Sequence, residues 1–167
     1  MDRVAPFNTQ QLTAIAKIIG DTGDGLTAPE IAHILVECRI PDVTPDMTKW
    51  KRLYNALSEI QNTKQVGNHT IMVINRVMNP VQYTSRPDVF AARRDQLNTV
   101  LAFCGFTIGE DGRVRRAMAA TNLHDALERA NRLLRAPATS TPPISPANIP
   151  AGSASSPPSR SQTSRPA

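Results

Sequence analysis

Apolar residues recur at helical spacing through the first 135 residues of this chain, and the pattern stops there. In the segment 9–19, apolar side chains fall at i, i+3, i+4 and i+7, which is typical of one buried helix face. Comparable stripes predict six helices, at about 9–19, 27–38, 46–61, 70–78, 85–104 and 121–135. A mainly α-helical fold follows. The fourth segment is short and apolar almost all round, so periodicity alone does not separate helix from strand; a cap at Asn68 and a stop at Asn79-Pro80 favour a helix.

One short segment has the period of a strand. Phe106-Thr107-Ile108 and Arg113-Val114-Arg115 flank Gly109-Glu110-Asp111-Gly112, and an Asp-Gly turn between alternating runs predicts a β-hairpin near 106–116. Three helices with a later basic hairpin are compatible with a winged-helix-like arrangement. The long second connection and the two helices before the hairpin argue against a simple one.

The composition changes at residue 136. Residues 136–167 contain eight prolines and eight serines, with no aromatic residue and no acid. Such a segment cannot bury enough apolar surface to offset the entropy lost on ordering. We therefore predict a helical module at 1–135 and a disordered tail at 136–167.

Several classes of function lack their sequence signals. No run of roughly 18 apolar residues is present, and the N-terminus has no apolar core of a secretory signal, so we expect a cytoplasmic protein with no membrane span. Cys38 and Cys104 lie on apolar helical faces, as buried reduced thiols do, although a disulfide or redox pair is the alternative. The spacing of histidines and cysteines predicts no metal site and no cofactor. No catalytic constellation is present, so we do not expect an enzyme.

Two basic clusters are candidates for contact with DNA or RNA. On the third helix and on the returning strand of the hairpin, the candidate residues are Lys49, Lys51, Arg52, Asn55, Arg113, Arg115 and Arg116. We expect Lys51, Arg52 and Asn55 to point outward, opposite a stripe formed by Trp50, Leu53, Tyr54, Leu57 and Ile60. The alternative is a solvated helix face and a charged strand that discourages edge pairing. The net charge of residues 1–135 is +3, from 17 basic and 14 acidic side chains, which is modest for a nucleic-acid-binding domain.

The last predicted helix is amphipathic. Its leucine stripe, Leu123, Leu127 and Leu134, must pack on the rest of the module or on another chain. This pattern favours a protein partner or a homo-oligomer.

Several strings, taken in order, resemble a known bacterial family. The most specific is TKWKRLYNAL at 48–57, and the others include Gln61, Gly67-Asn68-His69, Met78-Asn79-Pro80, Leu97-Asn98 and the 109–112 turn. Together they resemble the N-terminal half of the conserved hypothetical Ymh-type family, over about residues 5–135.

The resemblance implies a role for this chain, and it also points to a motif that this sequence does not contain. In that family the corresponding region is followed by a HEPN-like domain, a type associated with RNA cleavage or binding in phage defence. The Arg-to-His motif of such domains does not occur in this chain. The resemblance thus implies a non-catalytic regulatory or interaction module. A frameshift in a GC-rich gene would explain the tail, and the chain would then be a truncated product.

Overall fold

The computed structural model describes residues 2–135, with side chains to residue 132. Within that range six α-helices and one two-stranded antiparallel hairpin are present, which confirms the predicted mainly α-helical fold. The elements are α1 (Thr9–Ile19), α2 (Ala28–Glu37), α3 (Lys49–Lys64), α4 (Asn68–Val77), a short 3₁₀ helix (Pro80–Tyr83), α5 (Pro87–Ala102), β1 (Phe106–Ile108), β2 (Val114–Arg116) and α6 (Leu123–Arg135). The predicted tail, 136–167, lies outside the described residues.

Helices α1 and α2 begin at side-chain caps. The Asn8 side chain accepts from the Gln11 amide at 2.8 Å, and the Gln11 side chain accepts in return from the Asn8 amide. Thr27 and Glu30 form the same reciprocal pair at the start of α2. Because the Thr27 amide and hydroxyl both donate to the Glu30 carboxylate, the pKa of Glu30 is lowered. These caps fix the starts of the two helices that flank the 20–27 turn.

Segment 68–77 is a helix, but it does not start at an Asn68 cap. Its N-cap is Gly67, and no side chain caps it. The Asn68 side chain instead accepts from the Val4 amide at 2.9 Å and donates to the Asp2 carbonyl at 2.9 Å. Asn68 therefore holds the segment that precedes α1.

The core lies among α1, α2, α3, α4 and α5. Helix α1 packs on α3 and α5, and α2 packs on α3 and α4. The largest fully buried side chains include Ile15, Ile19, Ile31, Leu35, Leu53, Leu57, Ile74, Leu97 and Leu101. In α3 the predicted inner residues Leu53, Leu57 and Ile60 are buried, whereas Trp50 and Tyr54 are half-buried. A β-carbon on Gly20 would lie 2.8 Å from the Trp50 backbone nitrogen, so α1 ends directly against the start of α3.

The hairpin is attached to α4 and α5. Its strands pair Phe106 with Arg116 and Ile108 with Val114. Strand β1 packs on α5, and β2 contacts α4. Gly112 has φ +73°, and a β-carbon there would overlap the Met78 carbonyl, so only glycine allows the turn to approach the end of α4. Since the hairpin follows α5 in the chain and packs on α5 and α4, it does not form a consecutive helix-and-wing unit with α3.

Four side-chain amides on the helices bind the backbone of non-helical segments. Gln61 accepts from the Phe7 amide at 2.9 Å and donates to the Phe7 carbonyl at 2.8 Å. Asn98 does the same for Ile108, at 2.6 and 3.2 Å. Asn68 binds the N-terminal segment, and Asn75 accepts from the Val114 amide at 2.8 Å. These amides satisfy backbone groups that have no strand partner.

Candidate interaction surface

Arg52 does not point outward, and that sequence prediction is wrong. The side chain is buried, with 7% of the residue exposed, and its guanidinium forms an ion pair with Asp42. Its Nε lies 3.1 and 3.0 Å from the two carboxylate oxygens, and its Nη1 donates to the Ala28 carbonyl at 3.1 Å. The bond to Asp42 raises the pKa of Arg52. The connection between α2 and α3 brings a carboxylate over this face of α3, which the spacing within the helix did not reveal.

The other candidates on α3 differ in exposure. The Asn55 amide donates to the Thr44 hydroxyl at 3.1 Å, so Asn55 is half-buried and holds the same connection rather than pointing outward. The Lys49 ammonium donates to the Asp21 carbonyl. Lys51 is exposed, with its ammonium 5.7 Å from the centre of the Trp50 ring. The basic string on α3 therefore offers fewer free charges to a phosphate than its sequence indicates.

The three hairpin arginines are exposed. Arg115 forms an ion pair with Asp111 at 2.7 Å. The Arg116 guanidinium lies 5.8 Å from the centre of the Phe106 ring and donates to the Arg3 carbonyl. Arg113 lines a pocket of about 280 Å³ beside α4.

The structure does not bring the two basic clusters together. Arg116 contacts Arg3, and Arg3 donates to the carbonyl of Gln65, which caps the C-terminal end of α3. Lys49 is the first residue of α3. A 16-residue helix is about 24 Å long, so Arg116 of the hairpin and Lys49 lie near opposite ends of α3.

Helix α6 leaves apolar surface exposed. Ala126 and Ala130 are buried, and α6 packs on α5. Leu123 is 60% exposed and Leu127 is 45% exposed. At 3.6 residues per turn these four residues span an arc of about 100°, with the alanines at one edge and the leucines at the other. We call Leu123 and Leu127 the leucine face; the side chain of Leu134, predicted to join it, lies outside the described residues.

An apolar groove lies on the other side of the alanine row. It has a volume of about 360 Å³ and is formed by α5, β1 and α6 together with the 117–118 segment. Its lining includes Ala102, Phe106, Met118, Ala130, Arg129 and Arg132. Met118 is 80% exposed. We call this feature the α6 groove.

The two arginines of the α6 groove differ in their partners. Arg129 is paired with Asp125, with Nε 2.6 Å from a carboxylate oxygen, and also donates to the Met118 carbonyl. This pairing lowers the pKa of Asp125. Arg132 is exposed and makes no ion pair with the described residues.

The two charged side chains that line the α6 groove, Arg129 and Arg132, are both positive. Residues 113–135 carry six arginines and two acids, whereas residues 1–112 carry eleven basic and twelve acidic side chains. The net positive charge of the first 135 residues therefore comes from residues 113–135.

The described residues contain little that could act as a nucleophile or hold a metal. Among residues 2–135, no three His, Cys, Asp or Glu side chains come together in a way that could bind a metal ion. Cys38 and Cys104 are free thiols, and burial raises the pKa of Cys104 to about 11. No helix in this part of the chain has the length and apolar character needed to cross a membrane.

Searches with family models, against curated proteins and against solved structures find no match to this chain.

Proposed function

We propose that this chain is a non-catalytic protein-interaction module that uses α6 as its contact surface. The observation that carries the proposal is the leucine face, because two exposed leucines lie one turn apart on a helix anchored by two alanines. Contiguous exposed apolar residues on a helix are typical of a surface that a partner covers. Completing the burial of both leucines would contribute roughly 2 kcal/mol, since a fully buried leucine contributes about 1.5–3 kcal/mol.

The sequence resemblance supports a regulatory role for such a module. If the chain corresponds to the N-terminal half of a Ymh-type protein, it would regulate a HEPN-like domain in phage defence. The nucleotide sequence downstream of this reading frame tests that part of the proposal. A HEPN-coding stretch in another frame would support a truncated product, and its absence would contradict this assignment.

Site-specific crosslinking tests the interaction surface. A photo-crosslinking amino acid replaces Leu127 in the full chain, and a control places it at Val81, which is 74% exposed on the 3₁₀ helix. We expect a discrete protein adduct at position 127, identified by mass spectrometry, reproduced with purified components and reduced by Leu123→Glu. No adduct at 127, or the same adduct at 81, would refute the proposal.

Nucleic-acid binding is a second candidate, favoured by the arginines of residues 113–135. It predicts binding to a DNA or RNA duplex that weakens steeply with salt and is reduced by Arg113→Ala with Arg116→Ala. Arg52→Ala is unsuitable for this test because Arg52 is buried against Asp42. An absence of binding at about 50 mM salt would exclude this function.

A further inference from the structure

We infer that the α6 groove binds an acidic amphipathic helix of a partner protein. This inference rests on the proposed function and adds the chemistry of the partner. Three properties of the groove support it: its apolar floor, the charge on its rim, and its position between two helices.

The floor of the groove accepts apolar side chains. Ala102 of α5 and Ala130 of α6 are small, so the space between the helices stays open down to the Phe106 ring. A volume of about 360 Å³ is enough for two or three leucine-sized side chains, and Met118 extends the apolar surface at its edge. A partner helix with apolar residues at i, i+3 or i+4, and i+7 presents a row of side chains that would fit such a groove.

The rim of the groove is positive. Arg129 is paired with Asp125, whereas Arg132 is exposed and forms no ion pair with the described residues, with Glu128 one turn before it. The lining of the groove includes no acidic side chain, so the charges that face an occupant are positive. A partner that carries glutamates beside its apolar anchors would be steered to this site, and a lysine-rich one would be repelled.

The apolar floor favours a protein over a nucleic acid as the occupant. A duplex offers phosphates to Arg132 but nothing that would bury the exposed Met118 side chain. A binding site for phosphate alone would gain no free energy from this floor.

Defined probes test the inference with the full 167-residue chain. The first probe is a fluorescein-labelled 18-residue peptide with leucines at i, i+3, i+4 and i+7 of each repeat and mainly glutamates elsewhere. The second has the same leucines with lysines in place of the glutamates. A 20-base-pair DNA duplex and vesicles of anionic phospholipid are the remaining probes. We expect saturable binding of the acidic peptide, at least about tenfold weaker binding of the lysine peptide, and weaker binding still of DNA and vesicles.

Matched variants locate the binding to the groove. Arg132→Glu and Met118→Glu should each weaken binding of the acidic peptide by about tenfold. Lys51→Glu, the same kind of charge reversal on α3, and Val81→Glu, a charge at another exposed apolar position, should change it by less than about twofold. Circular dichroism of each variant checks that the helices are retained.

Three results would overturn the inference: equal binding of both peptides, preference for DNA or vesicles, or an acidic peptide whose affinity Arg132→Glu and Met118→Glu leave unchanged. Each of these leaves the protein adduct at position 127 intact, so the interaction module survives. Loss of that adduct refutes the leucine face as a contact surface, while binding of the acidic peptide in the groove is measured separately, so the two failures are distinguishable.

Discussion

Replacing Gln61 by leucine should strongly destabilise the fold, although the two side chains are similar in size. Gln61 is 7% exposed, and its amide satisfies both backbone groups of Phe7 at 2.9 and 2.8 Å. Leucine satisfies neither, so one buried N–H and one buried carbonyl lose their partners. At about 1–3 kcal/mol for each of the two unsatisfied groups, less roughly 1 kcal/mol from the added apolar burial, the net loss is about 1–5 kcal/mol, with a midpoint of about 3 kcal/mol.

Thermal and urea unfolding measure this loss. For a module of this size, a loss of about 3 kcal/mol lowers the melting temperature by about 10 °C. The control is Gln96→Leu, the same substitution at an exposed position of α5, which should change stability by no more than about 0.5 kcal/mol.

Gln61→Glu separates the two hydrogen bonds. An ionised carboxylate can accept from the Phe7 amide but cannot donate to the Phe7 carbonyl, while a protonated carboxyl can do both. Burial and the facing carbonyl would raise the pKa of this glutamate in the folded state, so its stabilising contribution is present at low pH and is lost as the pH rises through the raised pKa. The stability of Gln61→Glu relative to the parent chain should therefore improve on acidification from pH 8 to pH 5.

The reasoning about Gln61 fails on either of two results. One is a loss of less than about 1 kcal/mol for Gln61→Leu with an unchanged m-value. The other is a Gln61→Glu variant whose stability relative to the parent chain does not rise on acidification.

Four further predictions follow from other contacts. Asp42→Ala should cost about 2 kcal/mol in urea unfolding because it leaves the Arg52 charge buried, and adding Arg52→Met should recover most of that loss. Arg39 is exposed and has φ 55°, so Arg39→Gly should relieve left-handed strain and raise stability by about 0.5–1 kcal/mol, whereas an unchanged melting temperature would argue against strain. With a pKa of about 11, Cys104 should be about 0.1% thiolate at pH 8, so iodoacetamide should label it far more slowly in native protein than in urea. Because the pKa of Glu30 is lowered in the folded state, its stabilising contribution is complete above the ordinary carboxyl pKa of 4.5 and is lost as the pH falls through the lowered value. The difference in melting temperature between the parent chain and Glu30→Ala should therefore shrink below pH 4.

Local patterns in the sequence were sufficient to predict the helices and the hairpin. The spacing of apolar residues placed α1 at the residues where it occurs, and the Thr27–Glu30 pair marked the start of α2. These features depend on contacts within a few residues of the chain. The 3₁₀ helix at Pro80–Tyr83 was missed because its four residues are too few to show a period.

Contacts between distant segments could not be predicted in the same way. Arg52 was expected to point outward because the pattern within α3 contains no sign of Asp42, ten residues earlier in an irregular connection. Gln61 and Asn98 belong to the strings that resemble the Ymh-type family, yet nothing local in the sequence indicates that they bind Phe7 and Ile108. In α6 the leucine stripe was visible in the sequence, but how much of it α5 covers depends on packing between helices.

The side-chain amides also have a consequence for the order in which the chain assembles. Gln61 lies 54 residues from Phe7, and Asn68 lies 64 residues from Val4, so these bonds close long loops. Each of these bonds requires the helix that carries the side-chain amide to form before the amide can contact the backbone of the segment before α1. We expect the segment before α1 to dock after α3 and α4 have formed, and to be the first part of the module to exchange its amide hydrogens when the native state opens.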